Sequence, residues 1–300
     1  MAAAEVTHPL VIGLGSAVLD HLFRVGEIPS PPAKERATAY RAMVGGMAAN
    51  AAIAVARLGG RAALWGRLGE DANGAAARAE LEAEGVDCAG LRGFPGARTP
   101  VSAVVVDKRG ERVTFGWRGE ALPADPGWLP LERLRGAAGF HCDPRWPEGA
   151  AAALEAARHL PTVLDAEKGE ARILLELVPR ARHAVFSEGG LANFAPGQRA
   201  AEALRRALAA GRTEVAAVTR GERGVLWLAA GMERAGEVPA FPVEAANTTG
   251  AGDVFHGAYA LALAEGQPVP DALRFAAAAG ALRARDGATP RREAVAAMLR

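Results

Sequence analysis

The sequence predicts an α/β fold: a mostly parallel sheet with helices on both faces, with small strand-rich segments inserted as a cover. Three observations carry this. Short apolar runs alternate with longer helix-like stretches over most of the 300 residues, which is how strands joined by crossover helices read in sequence. Two stretches, 20–43 and 97–117, break the alternation and carry strand and turn signals in place of helical periodicity. The composition, 50% apolar and 23% charged, supplies material for one large core or two small ones and excludes wholesale disorder.

Taken in order, Leu10–Leu14 reads as a buried strand. Residues 20–43 follow as strands and turns around Pro29–Pro32. Met47–Leu58 is a helix ended by Gly59-Gly60, Ala62–Trp65 the next strand, and Ala72–Glu84 a helix stopped by Gly85. Val101–Val106, the turn Asp107–Gly110 and Glu111–Phe115 make a hairpin. Gly139–His141, Thr162–Leu164, Ala184–Ser187 and Val215–Thr219 are further strands, with the helix Gln198–Ala210 before the last.

Charge and cysteine usage narrow the partners. The 35 Lys+Arg and 34 Asp+Glu leave +1, so a global basic field for nucleic acid is absent, while a local group of arginines around an anionic ligand stays open. The two cysteines, Cys88 and Cys142, make neither a disulfide framework nor a zinc spacing, and a reducing cytoplasm is the expected compartment. Met1–Pro9 lacks the basic start of a signal peptide. The apolar stretch Ala272–Leu282 is broken by Arg274 and too short to span a bilayer, so no membrane partner is expected.

The sharpest local signal is Asn247-Thr248-Thr249-Gly250-Ala251-Gly252-Asp253, a loop that opens a helix beginning near Val254. Gly250 and Gly252 let the backbone come close to a ligand, Ala251 adds little bulk, and the first helical amides point at one spot with the positive end of the dipole behind them: an anion cradle. A carboxylate in such a cradle repels the anion, and Asp253 makes sense as the base for an attacking hydroxyl beside a phosphate. Read blandly, the segment is a glycine turn with a capped helix. A second glycine pair, Gly45-Gly46, opens another helix with Asn50 on its first turn, where an amide side chain gives and accepts hydrogen bonds to hydroxyls or satisfies buried backbone. Other phosphate grips fail: there is no G-x-x-x-x-G-K-[ST], and after Gly13 and Gly15 the third glycine of a dinucleotide fingerprint falls at Val18. A G-x-S-x-G elbow is absent as well.

The two clusters together, in this order, resemble the ribokinase-like (PfkB) family of carbohydrate kinases. The first family signature is similar to Gly45-Gly46-x-x-x-Asn50 running on to Gly66-Arg67-Leu68-Gly69-Glu70-Asp71-x-x-Gly74, and the second to Thr248-Thr249-Gly250-Ala251-Gly252-Asp253-x-Phe255-x-Gly257. The likeness runs from about Val11 to the C-terminus. It implies one ribokinase-like domain over residues 1–300, a three-layer core of about nine strands, and a β-strand lid formed by the two inserted segments. It implies ATP and magnesium as cofactors, Asp253 as the base, and the amides of Gly250, Ala251 and Gly252 as the anion hole. By the same likeness Asp20, Gly45, Gly46 and Asn50 hold the sugar, and Ser187, Thr219, Gly221 and Gly224 line the nucleotide. Homodimers through the lid follow from the family too. Three departures stand out. The family's Asn-x-x-Glu becomes Ser187-Glu188-Gly189-Gly190, with Glu188 the candidate to supply the missing carboxylate to the metal; the Asp before the two threonines is Asn247, at the monovalent-cation site; and an asparagine near the adenine pocket is replaced within Ala276–Ala279.

Within the family the likeness is nearest to the bacterial sulfofructose kinases, through Asp143-Pro144-Arg145-Trp146, Phe186-Ser187-Glu188-x-Gly190-Leu191 and Val254-Phe255-His256. In that subgroup an arginine at the Arg145 position meets the sulfonate, which a planar guanidinium suits. The lid asparagine of that subgroup is Gly116 here. The expectation is an ATP-dependent kinase for a hydroxyl of a small ketose, anionic in the manner of 6-deoxy-6-sulfofructose. Its rivals are a nucleoside kinase of the same fold, with Trp117 and Trp146 to stack a base, and a catalytically silent sugar-binding regulatory protein.

Overall fold

In the computed structural model, which describes residues 8–300, the alternation resolves into one long sheet, one short sheet and nine α-helices among the described residues. Residues 1–7, on which the leader expectation chiefly rests, lie outside the described residues. In chain order the elements begin with β1 (Leu10–Gly15), β2 (Val18–Arg24), β3 (Ala39–Gly45), α1 (Met47–Arg57), β4 (Arg61–Gly69), α2 (Ala72–Ala83), β5 (Val86–Asp87) and β6 (Leu91–Phe94). There follow β7 (Val101–Val106), β8 (Arg112–Trp117), β9 (Gly139–Cys142), α3 (Pro147–Ala156), β10 (Thr162–Ala166), α4 (Ala171–Leu177), β11 (His183–Ser187), α5 (Glu188–Phe194) and α6 (Ala200–Ala209). The chain closes with β12 (Val215–Thr219), β13 (Val225–Ala229), β14 (Gly236–Val238), α7 (Ala251–Ala264), α8 (Val269–Asp286) and α9 (Arg292–Leu299).

The long sheet has ten strands in the order β14-β13-β12-β11-β10-β9-β1-β4-β5, with β6 also on β4. It is parallel from β12 to β5, and β13 and β14 extend it antiparallel. Successive residues on its central strands point to opposite faces, and both faces are dry. Val163 and Val185 pack under α1, α7 and α8, whereas their neighbours Leu164 and Phe186 pack under α3 to α6. These strands are therefore mostly apolar, with His141, Thr162, Asp165 and His183 as buried polar exceptions, which is the three-layer arrangement that the apolar runs predict.

The two inserted stretches pair with each other. They form a separate four-stranded sheet, β3-β2-β7-β8, in which β2 and β7 are parallel and the outer pairs antiparallel. Its inner face carries Asp20, Ser102, Met43 and Gly116 in one row across the four strands, and Arg24, Val106, Ala39 and Arg112 four residues further along the strands. This is the predicted lid, slightly longer than expected at both ends of its first segment. Asp20 lies on the lid sheet, on β2, at the start of the first inserted segment. The core strand expected to stop at Trp65 runs on to Gly69, because Gly66–Gly69 pairs with the short β6, which has no sequence signal of its own. Among the described residues no helix is long and apolar enough to cross a membrane.

The close approach of α1 and α7 positions the functional residues. The alanines of α1 present no bulk to α7, and a methyl group on Gly257 would lie 2.3 Å from the Ala51 carbonyl oxygen. Contact at this range brings the first turns of the two helices together above the strand ends.

Candidate active site

The first turn of α7 is built as an anion cradle. Gly250 precedes the helix at φ 75°, a left-handed conformation that costs glycine little, and no side chain caps the helix. The Ala251 and Val254 amides donate backward to Thr248 and Gly250, but those of Gly252 and Asp253 have no backbone acceptor among the described residues. Gly252 has an ordinary backbone conformation, and a Cβ there would touch nothing within 4 Å. Its glycine leaves open space in front of the amides, sized for a ligand and electrostatically positive.

Asp253 faces that space. The Asn50 side-chain amide, from the first turn of α1, donates to Asp253 Oδ2 at 2.7 Å and fixes the carboxylate. Burial pushes the Asp253 pKa up to about 6; the Asn50 hydrogen bond and the Arg283 charge pull against this, and the Asp143 and Glu167 charges add to it. A carboxylate with that proton affinity is suited to taking a proton from a hydroxyl near neutral pH.

Asp20, which the resemblance assigns to the sugar together with Gly45, borders the same cavity as Asn50. A Cβ on Gly45 would lie 2.1 Å from Asp20 Oδ2, so only glycine allows the lid carboxylate to reach in across β3. Ser102 donates its hydroxyl to Asp20 Oδ1 from the neighbouring strand. Gly46 opens α1 with φ 101°. The turn there is held by Asp143, a fully buried carboxylate just past β9. Its oxygens accept from the Ser16 amide at 2.8 Å, the Ser16 hydroxyl at 2.7 Å, the Ala48 amide at 3.1 Å and the Arg145 amide at 2.8 Å. A buried charge with four donors and a helix N-terminus is well compensated, and it ties β1, α1 and the loop after β9 into one frame. The sequence marks Asp143 only as the first residue of the Asp143-Pro144-Arg145-Trp146 stretch and gives no sign of the hub it makes.

Two cavities continue under the lid and share Asp20. One, of about 360 Å³, is bordered by Ser16, Ser102, Gly116, Arg67, Arg145 and Trp117. The other, of about 920 Å³, runs from Asp20 and Asn50 past Arg112 to Asn247, Thr248, Thr249 and Arg283. Between lid and loop, Arg112 donates to Asn247 Oδ1 at 3.1 Å and Thr248 Oγ1 at 3.2 Å, so a lid strand is hydrogen-bonded to the cradle loop.

Further along the sheet edge, Ser187 and Thr219 are register partners at the ends of β11 and β12, with Gly221 and Gly224 in the turn that follows. Ser187 Oγ caps α5, accepting from the Gly190 amide at 2.9 Å, and donates to Glu167 Oε1 at 3.0 Å. Glu188 is ion-paired with Arg223 and half-exposed, so its oxygens are already shared with a cation. Glu167, which sequence reasoning missed, is the carboxylate past β10 whose charge reaches Asp253. Behind it Asp165 is fully buried with Oδ1 unpartnered, and burial, then the neighbouring carboxylates, push its pKa well above the usual range. Among the described residues no three His, Cys, Asp or Glu side chains gather into a metal cage. The single accessible carboxylate of Glu167 suits magnesium that keeps its waters and arrives on nucleotide phosphates.

Comparison with known proteins places the chain in a family. The family model described as pfkB family carbohydrate kinase matches residues 9–291. The chain is 31% identical to an ATP-dependent ribose-1-phosphate kinase of Halopiger xanaduensis, over 96% of this chain and 97% of that one. It is 30% identical to fructokinase-1 of Oryza sativa, over 94% of each. The structure of Arabidopsis thaliana ribokinase complexed with ribose and ATP superposes with a TM-score of 0.86 at 25% identity, covering 98% of this chain and 99% of that chain.

Proposed function

Because the chain belongs to the pfkB family of carbohydrate kinases, ATP-dependent enzymes that phosphorylate an alcohol, we propose that its acceptor is a small ketose bearing an anionic group, and that Asp253 is its catalytic base. One observation supports the anionic group above the rest. Arg67, Arg118 and Arg145 border the same cavity as Asp20 and Ser102, and none of the three forms an ion pair among the described residues. Arg67 is held in place, donating to the Pro123 carbonyl at 2.7 Å and lying 4.4 Å from the centroid of the Trp146 ring. Arginines kept without carboxylate partners beside a sugar pocket suit a phosphate or sulfonate. Two curated relatives fit the two halves of the reading: one is a kinase of a sugar phosphate, the other a fructokinase.

In this reading Asp20 and Asn50 orient the sugar hydroxyls, Gly45 and Gly46 allow close approach, and Ser187, Thr219, Gly221 and Gly224 line the nucleotide. Asp253 accepts the proton of the attacking hydroxyl, and the Gly250–Gly252 turn takes up the charge of the transferred group. Magnesium arriving on the nucleotide would neutralise phosphate charge, and Glu167 would be the carboxylate to hold it, Glu188 being already paired with Arg223. The nucleoside-kinase alternative loses one of its two aromatic rings, since Trp146 is buried between Arg67 and Trp128. The silent-binder alternative leaves the unpaired cradle amides and the poised Asp253 without a purpose.

The test is the ratio of kcat/KM for an anionic ketose (fructose phosphate or sulfofructose) to that for fructose, in wild type and Arg145→Met. The expected wild-type ratio exceeds one. The variant lowers it by roughly 10–100-fold, the loss of one charge-assisted pair. A wild-type preference for fructose, or equal losses on both substrates, contradicts the anionic acceptor.

A further inference from the structure

Arg283 lies in the last turn of α8, and the sequence gives no reason to single it out. In the structure its guanidinium reaches the anion cradle. A methyl group on Gly250 would lie 3.5 Å from both Nε and Nη2, and one on Gly287 would lie 4.0 Å from Nη1. The same side chain borders the larger cavity together with Asn50 and Thr249. Nη1 is fully buried and has no hydrogen-bond partner, and no carboxylate lies within ion-pair distance of the guanidinium among the described residues. A guanidinium with unspent donors is costly to bury, and here the Asp253 charge and the C-terminal end of its own helix offset it without a direct ion pair. The protein keeps a guanidinium with no carboxylate in ion-pair contact among the described residues beside the glycine turn that opens α7.

We propose that Arg283 is a catalytic residue, the fixed cation that donates to the transferred phosphoryl group as it passes from ATP to the sugar. The inference rests on the kinase reading of the site. In the step, the acceptor oxygen bonds to the γ-phosphorus as the bond to the β–γ bridging oxygen breaks. The hydroxyl proton goes to Asp253, and ADP leaves with the bridging oxygen and its electron pair. Negative charge grows on the equatorial oxygens beside Gly250, where the backbone amides supply partial charges and Arg283 supplies a whole one. The same charge acts on Asp253. Of the groups that face Asp253, Asn50 comes from α1, Asp143 from the end of β9, Asp165 and Glu167 from β10 and its loop, His256 from α7 itself and Arg283 from α8; Arg283 is the one whose charge favours the carboxylate.

The experiment compares wild type, Arg283→Met and Arg283→Lys by ADP formation with an accepted sugar. Wild-type turnover tests the kinase reading on its own, so the two can fail separately. Arg283→Met is expected to lower kcat by about 10²–10³-fold with the KM for ATP little changed. Millimolar guanidinium chloride should restore part of that loss, and the acid limb of the kcat/KM profile should move upward by at least about half a pH unit, since a positive charge near Asp253 is gone. Arg283→Lys, which keeps the charge on a slimmer stem, should hold the acid limb at its wild-type position while kcat falls less than in the Met variant. The proposal is overturned by a kcat within threefold of wild type in Arg283→Met, or by a loss that guanidinium does not rescue and that leaves the acid limb in place. If Arg283→Met does not fold, a Lys variant with a displaced acid limb overturns it equally.

Discussion

At the scale of single residues, the site depends on carboxylates placed in different surroundings. Asp143 is spent on four donors and serves as a strut. Asp165 is sealed in the core beside His256, 3.3 Å from its Nδ1. Asp253 alone combines one anchoring hydrogen bond with open space and a pKa pushed up to about 6. Because the base must be deprotonated, kcat/KM for the acceptor should be level above pH 6 and fall about tenfold per pH unit as pH drops below it. A rate profile flat down to pH 5 speaks against Asp253 as the base. Gly116 offers a gain-of-contact test. It sits on the inner lid face opposite Ser102, in an ordinary conformation, with nothing within 4 Å of where a Cβ would be. Gly116→Asn should therefore fold normally and add a donor to the acceptor cavity, lowering KM for an anionic ketose more than for fructose. Equal KM changes for both sugars place Gly116 outside the acceptor cavity's recognition.

At the scale of elements, the seam between α1 and α7 sets the distance between Asn50 and Asp253. Gly257→Val forces a branched side chain against the Ala51 carbonyl and is expected to cost about 1–3 kcal/mol in stability, read by thermal or denaturant unfolding. It should also lower kcat more than it raises KM for ATP, since the base loses its anchor; an unchanged melting temperature contradicts the tight seam. These elements were the ones most legible in sequence. The glycine pairs announced both helix starts, and the unbroken apolar runs announced strands with two dry faces. What sequence could not show was anything made by register. The partners of Asp20 across the lid show only once β2 pairs with β3 and β7, and β6 is visible only through its pairing with β4. Arg283, Glu167 and Asp143 each lie far along the chain from the residues they face, in segments with no local pattern. Asp143 and Glu167 converge because the parallel strands β9 and β10 end at one edge, and Arg283 joins them from the C-terminal turn of α8, which packs on α7.

At the scale of the whole molecule, the lid has two different faces. The inner one carries the polar row of Asp20 and Ser102. The outer one carries Phe23, Tyr40, Val105, Val113 and Phe115, with Phe115 67% and Tyr40 56% exposed. Exposed aromatic side chains on a sheet that covers no core of its own fit pairing of two lids in a homodimer. Sedimentation should show a dimer for wild type and a monomer for Phe115→Glu at micromolar concentration; a monomeric wild type removes the lid dimer. In the proposed reading, lid, cradle and strand ends together serve one reaction, the transfer of a phosphoryl group to a hydroxyl held against Asp253. The most direct measurement of that claim is the turnover of Asp253→Asn beside its ATP affinity by calorimetry. Turnover should fall by roughly 10²–10⁴-fold while ATP binds within a few-fold of wild type, because the amide keeps the size and the Asn50 contact but cannot take the proton. Turnover within threefold of wild type would contradict the account.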